Sequence, residues 1–165
     1  MPRLHLNIAD VRQLPYEHTQ TISADYLDLM GHMNVMWYTQ LFSVGMGSVL
    51  TRLGLTEEIM KAGNGGSFAL EAHIRYLSEV RVDQTIQIHS RMLGRTEKRY
   101  HIMHFMTNQD KQDVSATFET VSSYVDLRQR RTAPFPDDVA AAIDDLLAEH
   151  SRLAWDAPVC GVIAP

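Results

Sequence analysis

Cysteine is nearly absent: Cys160 stands alone in 165 residues. That excludes an internal disulfide, and no cysteine-based zinc site is expected, which fits a reducing cytoplasm. Cys160 itself reads as a spectator thiol. Long apolar runs are also missing. No stretch approaches the roughly 18 consecutive apolar residues a membrane span requires, and the opening MPRLHLNIADVRQLPYEH carries no apolar core of a secretory signal. The expectation is a soluble, cytoplasmic protein. Positive charge is in deficit, with a formal net charge of −5, which argues against nucleic acid or an anionic membrane as partner. Internal repeats and low-complexity tracts are lacking. At 45% apolar and 21% charged residues, the composition is that of a globular chain. Residues 1–165 read as a single domain, with its core over about 16–127 and a C-terminal helix over about 136–152.

What is present is patterned. His18 to Ala24 alternates and is rich in Thr and Ile, as a short strand does. A turn over Asp28–Met33 leads to Asn34 at an N-cap position. From Val35 the apolar positions Val35, Leu41, Phe42, Val49, Leu50 and Leu53 suit a long helix that stops at Gly54. Gly45 and Gly47 inside it each cost about 1 kcal/mol relative to Ala, so something should approach the backbone there. After a helical piece near Thr56–Lys61, four alternating stretches follow: Ser67–Leu77, Val82–Leu93, Arg99–Thr107 and Val114–Leu127. Short polar turns join them, as in an antiparallel meander with one buried face. Pro136 then opens a helix with Asp137 and Asp138 in its first turn, where the helix dipole favours acids. A single apolar helix satisfies a long sheet only if the sheet curls around it, which makes the fold α+β in the order β-α-β-β-β-β-α.

Several catalytic schemes fail on spacing. "GMGS" (Gly45–Ser48) is not a dinucleotide fingerprint, since Leu50 occupies the third glycine's place. "GGSFA" (Gly65–Ala69) approaches a nucleophile elbow, but it opens a strand instead of joining strand to helix, so Ser67 reads as a loop residue. Among the eight histidines no His-Glu-x-x-His occurs, and His101 and His104 point to opposite faces of a strand. No metal is expected, and His73, His89 and His101 read as exposed or partner-facing polar positions.

The stretch DYLDLMGHMNVMWY (Asp25–Tyr38) remains. Thioester hydrolysis needs a base or nucleophile, and positive potential where the carbonyl oxygen gathers charge. Free N–H groups at a helix start, backed by the macrodipole, supply the second. Asp28 sits in a turn that can fold back over that helix end, and Gly31 permits the sharp bend. His32 reads as a turn-locking hydrogen bonder and Asn34 as the cap.

The run Asp28, Gly31, His32, Asn34, Tyr38 resembles the D-x-x-G-H-x-N-x-x-x-Y pattern of hotdog-fold acyl-CoA thioesterases of the 4-hydroxybenzoyl-CoA thioesterase type. "LEAHIRYLSEV" (Leu70–Val80) looks like their second strand, and "MLGRTEKRYHI" (Met92–Ile102) like their third hairpin. The likeness covers roughly Thr19 to Leu127. It implies a long central helix wrapped by a curled antiparallel sheet, with Asp28 as the catalytic carboxylate, attacking the carbonyl or activating water. The Val35 backbone N–H would face the thioester oxygen. Many members carry a second acid two residues before the catalytic one; here that place is Tyr26, with Asp25 adjacent and out of phase.

The resemblance further implies an acyl-CoA substrate, no separate cofactor, and a homodimer or a tetramer of dimers with active sites between subunits. His73 or Glu71 could then reach a neighbour's site. Trp37, Tyr38, Phe42 and Tyr76 are candidates to line the acyl pocket. Relatives with a similar "LEAHI-x-YL-x-EV" strand hydrolyse betainyl-CoA, whose cation Trp37 or Tyr76 could hold. Coenzyme A carries phosphates that want Arg or Lys. Arg95, Lys98 and Arg99 form the first candidate cluster, and Arg128, Arg130 and Arg131 the second. The competing readings are a non-catalytic acyl-CoA-binding module and a hotdog hydratase; the latter's paired Asp and His are not found.

Overall fold

The alternating stretches do form a sheet, but its central strands are covered on both faces. The computed structural model describes residues 6–165; Met1–His5, part of the stretch read above for a secretory signal, lie outside the described residues. The elements in chain order are α1 (Ile8–Val11), β1 (Tyr16–Thr21), a 3-10 turn (Ala24–Tyr26), α2 (Val35–Arg52), α3 (Glu57–Lys61), β2 (Gly66–Tyr76), β3 (Thr85–Arg95), β4 (Arg99–Asn108), β5 (Asp113–Asp126), β6 (Arg131–Thr132) and α4 (Asp137–His150). The sheet order is β1-β3-β4-β5-β2, with β6 pairing β5. β1 runs antiparallel to β3, with Thr19 opposite Gln87 and Thr21 opposite Thr85. The turns at 96–98 and 109–112 are too short for a parallel crossover, so β3, β4 and β5 alternate in direction. No helix among the described residues is long and apolar enough to cross a membrane.

Local chemistry explains the helix ends. The Asn34 side chain caps α2 by accepting from the Met36 amide at 3.0 Å. Gly54 ends it with φ of 82°, and the Leu55 amide reaches back to the Leu50 carbonyl at 2.9 Å, the closing bond of a Schellman motif. Thr56 caps α3 through the Ile59 amide.

By packing, the described residues fall into two compact units. The first comprises 6–46, 74–90 and 104–118, the second 47–73, 91–103 and 119–165. In the first unit, Tyr38, Leu41 and Phe42 of α2 join Ile86, Ile88, Met106 and Ala116 of the sheet in a core with Ile22, Met33 and Val80. Phe42 stacks on Phe118 at 5.3 Å. A Cβ on Gly45 would lie 2.6 Å from Ile88 Cγ2, whereas one on Gly47 would meet nothing within 4 Å. The close approach expected at both glycines exists only at Gly45.

In the second unit, the Arg91 guanidinium lies 4.4 Å from the Trp155 ring centroid and donates to the Trp155 carbonyl at 2.6 Å. The Met92 amide donates to His150 Nδ1 at 2.8 Å. The tail after α4 is thereby tied to β3.

Two expectations need correction. His89 and His101 are buried. His89 Nδ1 meets the Leu14 carbonyl at 2.9 Å, and His101 Nε2 meets Glu119 at 2.9 Å. The segment after α1 covers His89, and Glu119 is covered in turn by the Cys160 amide at 2.7 Å. Chain distant in sequence therefore covers a face that alternation alone assigns to solvent. The edge strand β2 is the exception: Phe68, Leu70 and Tyr76 are exposed.

Candidate active site

Asp28 sits in a small looped hairpin closed by a bridge between Leu27 and Met33. Its amide donates to the His32 carbonyl at 3.0 Å, and its carbonyl accepts from Gly31 at 3.1 Å. Gly31 has φ of 78°, the left-handed region that glycine enters without strain. The loop is fastened at its exit. The Met33 amide donates to the Val80 carbonyl at 2.7 Å, and the Asn34 amide to the Tyr26 carbonyl at 2.9 Å. Met33 itself is buried in the core.

The Asp28 carboxylate is partly sheltered, with its side chain 21% exposed. Oδ1 accepts from the Met30 amide at 2.8 Å, and Oδ2 lies 3.5 Å from His32 Nδ1. Oδ1 is therefore oriented by a hydrogen bond, while the His32 ring lies beside Oδ2. Asp28 and Asn34 line one open hollow of about 610 Å³ with Leu27, Leu29 and Met30. The capping residue of α2 therefore lines the same hollow as the carboxylate.

At that end the amides are unequal. Met36 is satisfied by the Asn34 side chain and Trp37 by the Asn34 carbonyl at 3.0 Å. Val35, the first helical residue, has no helical carbonyl one turn back. Its N–H lies where about half a positive charge of macrodipole accumulates.

His32, Met33, Val35 and Tyr38 line a second hollow of about 260 Å³ with Tyr76, Leu77, Ser78 and Glu79. The Tyr38 and Tyr76 rings meet edge to face at 5.1 Å. Burial pushes the Tyr38 hydroxyl up to about 12, partly offset by a hydrogen bond from the Val80 backbone, so it stays a neutral phenol. Ser78 and Glu79 escaped the sequence reading. The available signal was their position in the "LSEV" turn, just past the alternating strand that carries Tyr76.

The other candidates distribute as follows. Trp37 lies against Tyr26 at 4.4 Å and packs on the core, lining neither hollow. His73 also lines neither; its imidazole lies beside Glu119 and Cys160. Arg95 is engaged by both carboxylate oxygens of Asp144, at 2.6 and 2.5 Å, a contact that raises the guanidinium and holds Asp144 below the usual carboxylate range. Lys98 and Arg99 are exposed. In the second cluster Arg128 donates to Asn64 at 2.7 Å. Ser67, expected in a loop, lies instead in β2 and shares a hydrogen bond with Tyr100 at 2.7 Å.

Residues 22–143 match the family model of the thioesterase-like superfamily. The chain is similar to the L-carnitine dehydrogenase/betainyl-CoA thioesterase of Agrobacterium fabrum, 30% identical over 133 residues, which are 81% of this chain and 27% of that protein. It spans only about a quarter of that relative's length. It is also similar to the betainyl-CoA thioesterase of Pseudomonas aeruginosa, 28% identical over 129 residues, 78% of this chain and 81% of the relative. A Staphylococcus aureus protein solved in complex with CoA shares the fold with a TM-score of 0.81, at 23% identity over 92% of this chain and 96% of that one. The α+β arrangement is the hotdog fold, and with the match spanning most of its length, the chain belongs to the thioesterase-like superfamily.

Proposed function

We propose that this chain hydrolyses an acyl-CoA thioester to the free acid and CoA, with Asp28 as base or nucleophile and the Val35 N–H polarising the carbonyl. The observation that carries the reading is an oriented, partly sheltered carboxylate sharing a hollow with the cap of an 18-residue helix. In the water route Asp28 takes a proton as hydroxide adds to the carbonyl carbon. The oxyanion forms against the Val35 amide, and collapse expels the CoA thiolate, which recovers the proton. In the covalent route Asp28 displaces CoA, and water then cleaves the mixed anhydride. Neither route requires a cofactor beyond the CoA of the substrate.

The acyl group enters the second hollow. Its tyrosine faces together with the Glu79 carboxylate suit a cationic group, and betainyl-CoA is the substrate we put first, as in the named relatives. Lys98 and Arg99 are the cations of the first cluster left for the CoA phosphates, since Arg95 is held by Asp144. Exposed Phe68, Leu70 and Tyr76 on the edge strand β2 favour sheet extension by a second copy, hence a homodimer or a tetramer of dimers. We place the protein in the cytoplasm, where Cys160 would stay reduced.

Screening a panel of acyl-CoA esters, betainyl-CoA included, for free thiol release tests the reading. Turnover supports it, and tight binding without thiol release would instead support a non-catalytic acyl-CoA-binding module.

A further inference from the structure

The covered side of the second unit holds a donor set that the thioester chemistry does not use. His73 of β2, Glu119 of β5 and Cys160 of the C-terminal tail each offer one ligand atom, all three lying within 4.8 Å of one another. Three atoms so spaced share a centre no more than about 2.8 Å from each, and zinc bonds of about 2.0–2.3 Å require a contraction of up to roughly 0.5 Å for the thiolate and roughly 0.8 Å for the nitrogen and oxygen. Sequence spacing points to no metal, since Cys160 has no cysteine partner and no His-Glu-x-x-His occurs; the mixed set is assembled by the fold from two strands and a tail.

The surroundings fit a metal site. Glu119 is 1% exposed, and a buried carboxylate is costly unless it is compensated. Each of its oxygens has one contact: Oε1 with His101 Nε2 at 2.9 Å, and Oε2 with the Cys160 amide at 2.7 Å. A carboxylate oxygen has two lone pairs, so each can still accept a further partner. His101 is placed as the orienting group that ligating carboxylates commonly have behind them. The Val162 amide points at Cys160 Sγ at 3.4 Å. His73 and Cys160 are only half-buried, which gives an ion a way in and leaves a coordination position for water.

We propose that His73, Glu119 and Cys160 bind a borderline divalent cation of the Zn²⁺ class and so clip the C-terminal tail to the sheet. Nitrogen, oxygen and thiolate donors together select Zn²⁺ over the hard cations Mg²⁺ and Ca²⁺. The site shares no residue with either hollow described above.

The test uses the full chain and the metals alone. Co²⁺ added to the wild type should bind one per chain and produce a sulfur-to-cobalt charge-transfer band. Zn²⁺ should displace it and raise the melting temperature. Cys160→Ser should abolish the band, and His73→Ala should weaken Co²⁺ binding at least about tenfold. Both positions are half-buried, so the variants are expected to fold, with circular dichroism as the check. Glu119→Gln is left aside because its burial risks the fold. Absence of the charge-transfer band at saturating Co²⁺ overturns the proposal, as does unchanged Co²⁺ affinity in the Cys160→Ser, His73→Ala double variant.

Discussion

Acidification should unfold this protein through His104. That imidazole is fully buried, bonded through Nδ1 to Ser90 Oγ at 2.8 Å, while Nε2 has no hydrogen-bond partner. Phe42 and Phe118 lie 6.3 and 6.2 Å away. Charging the ring there is opposed by desolvation, which depresses its titration from 6.5 to about 3. A depressed folded value means that the unfolded chain binds the proton more readily. The neutral ring's contribution is therefore complete above pH 6.5 and is lost as pH falls toward 3. The loss is about 1.4 kcal/mol per pH unit below 6.5, or about 2 kcal/mol by pH 5. Burial lowers His89 and His150 in the same direction, steepening the whole profile. The assay is urea unfolding of wild type and His104→Gln at pH 7 and pH 5, at one protein concentration. Comparing the pH-induced change within each protein cancels the intrinsic cost of the substitution. Wild type should lose about 2 kcal/mol more than the variant. Equal losses, within about 0.5 kcal/mol, would refute the assignment of acid sensitivity to this ring.

Three further outcomes are expected. Gly45→Ala should destabilise by about 1–3 kcal/mol because its methyl collides with Ile88, while Gly47→Ala should stabilise by up to about 1 kcal/mol; thermal melts of the pair check both signs. Tyr38, raised from 10.0 to about 12, contributes stability that is complete below pH 10 and lost between pH 10 and 12, so Tyr38→Phe should flatten the alkaline limb of unfolding measured across that range. Val35→Pro deletes one amide at a helical position that tolerates proline, and should lower kcat at least about a hundredfold with circular dichroism unchanged.

Elements with strong periodicity were legible in the sequence. The predicted helix from Val35 ends where Gly54 adopts positive φ, and the strand predicted at Arg99–Thr107 differs by one residue from Arg99–Asn108. The turn around Asp28 was legible because Gly31 and Asn34 carry local backbone chemistry. α1 and β6 were missed, being four and two residues long, too short to show a period. The burial of His89 and His101 was missed because their covers, Leu14 and the Cys160 segment, come from distant chain. The same reason hid the donor set at Glu119. Glu79 was missed because a turn acid reads as solvated until the neighbouring Tyr38 and Tyr76 are placed.

The claim on which the function rests is that the Asp28 carboxylate acts as the base or the nucleophile. Asp28→Asn keeps the shape of the side chain and an oxygen for the Met30 amide, but removes the base and nucleophile. Thiol release from the best acyl-CoA of the panel should fall at least about a hundredfold in kcat, with substrate binding and the melting curve close to wild type. Turnover within a few-fold of wild type would contradict the account.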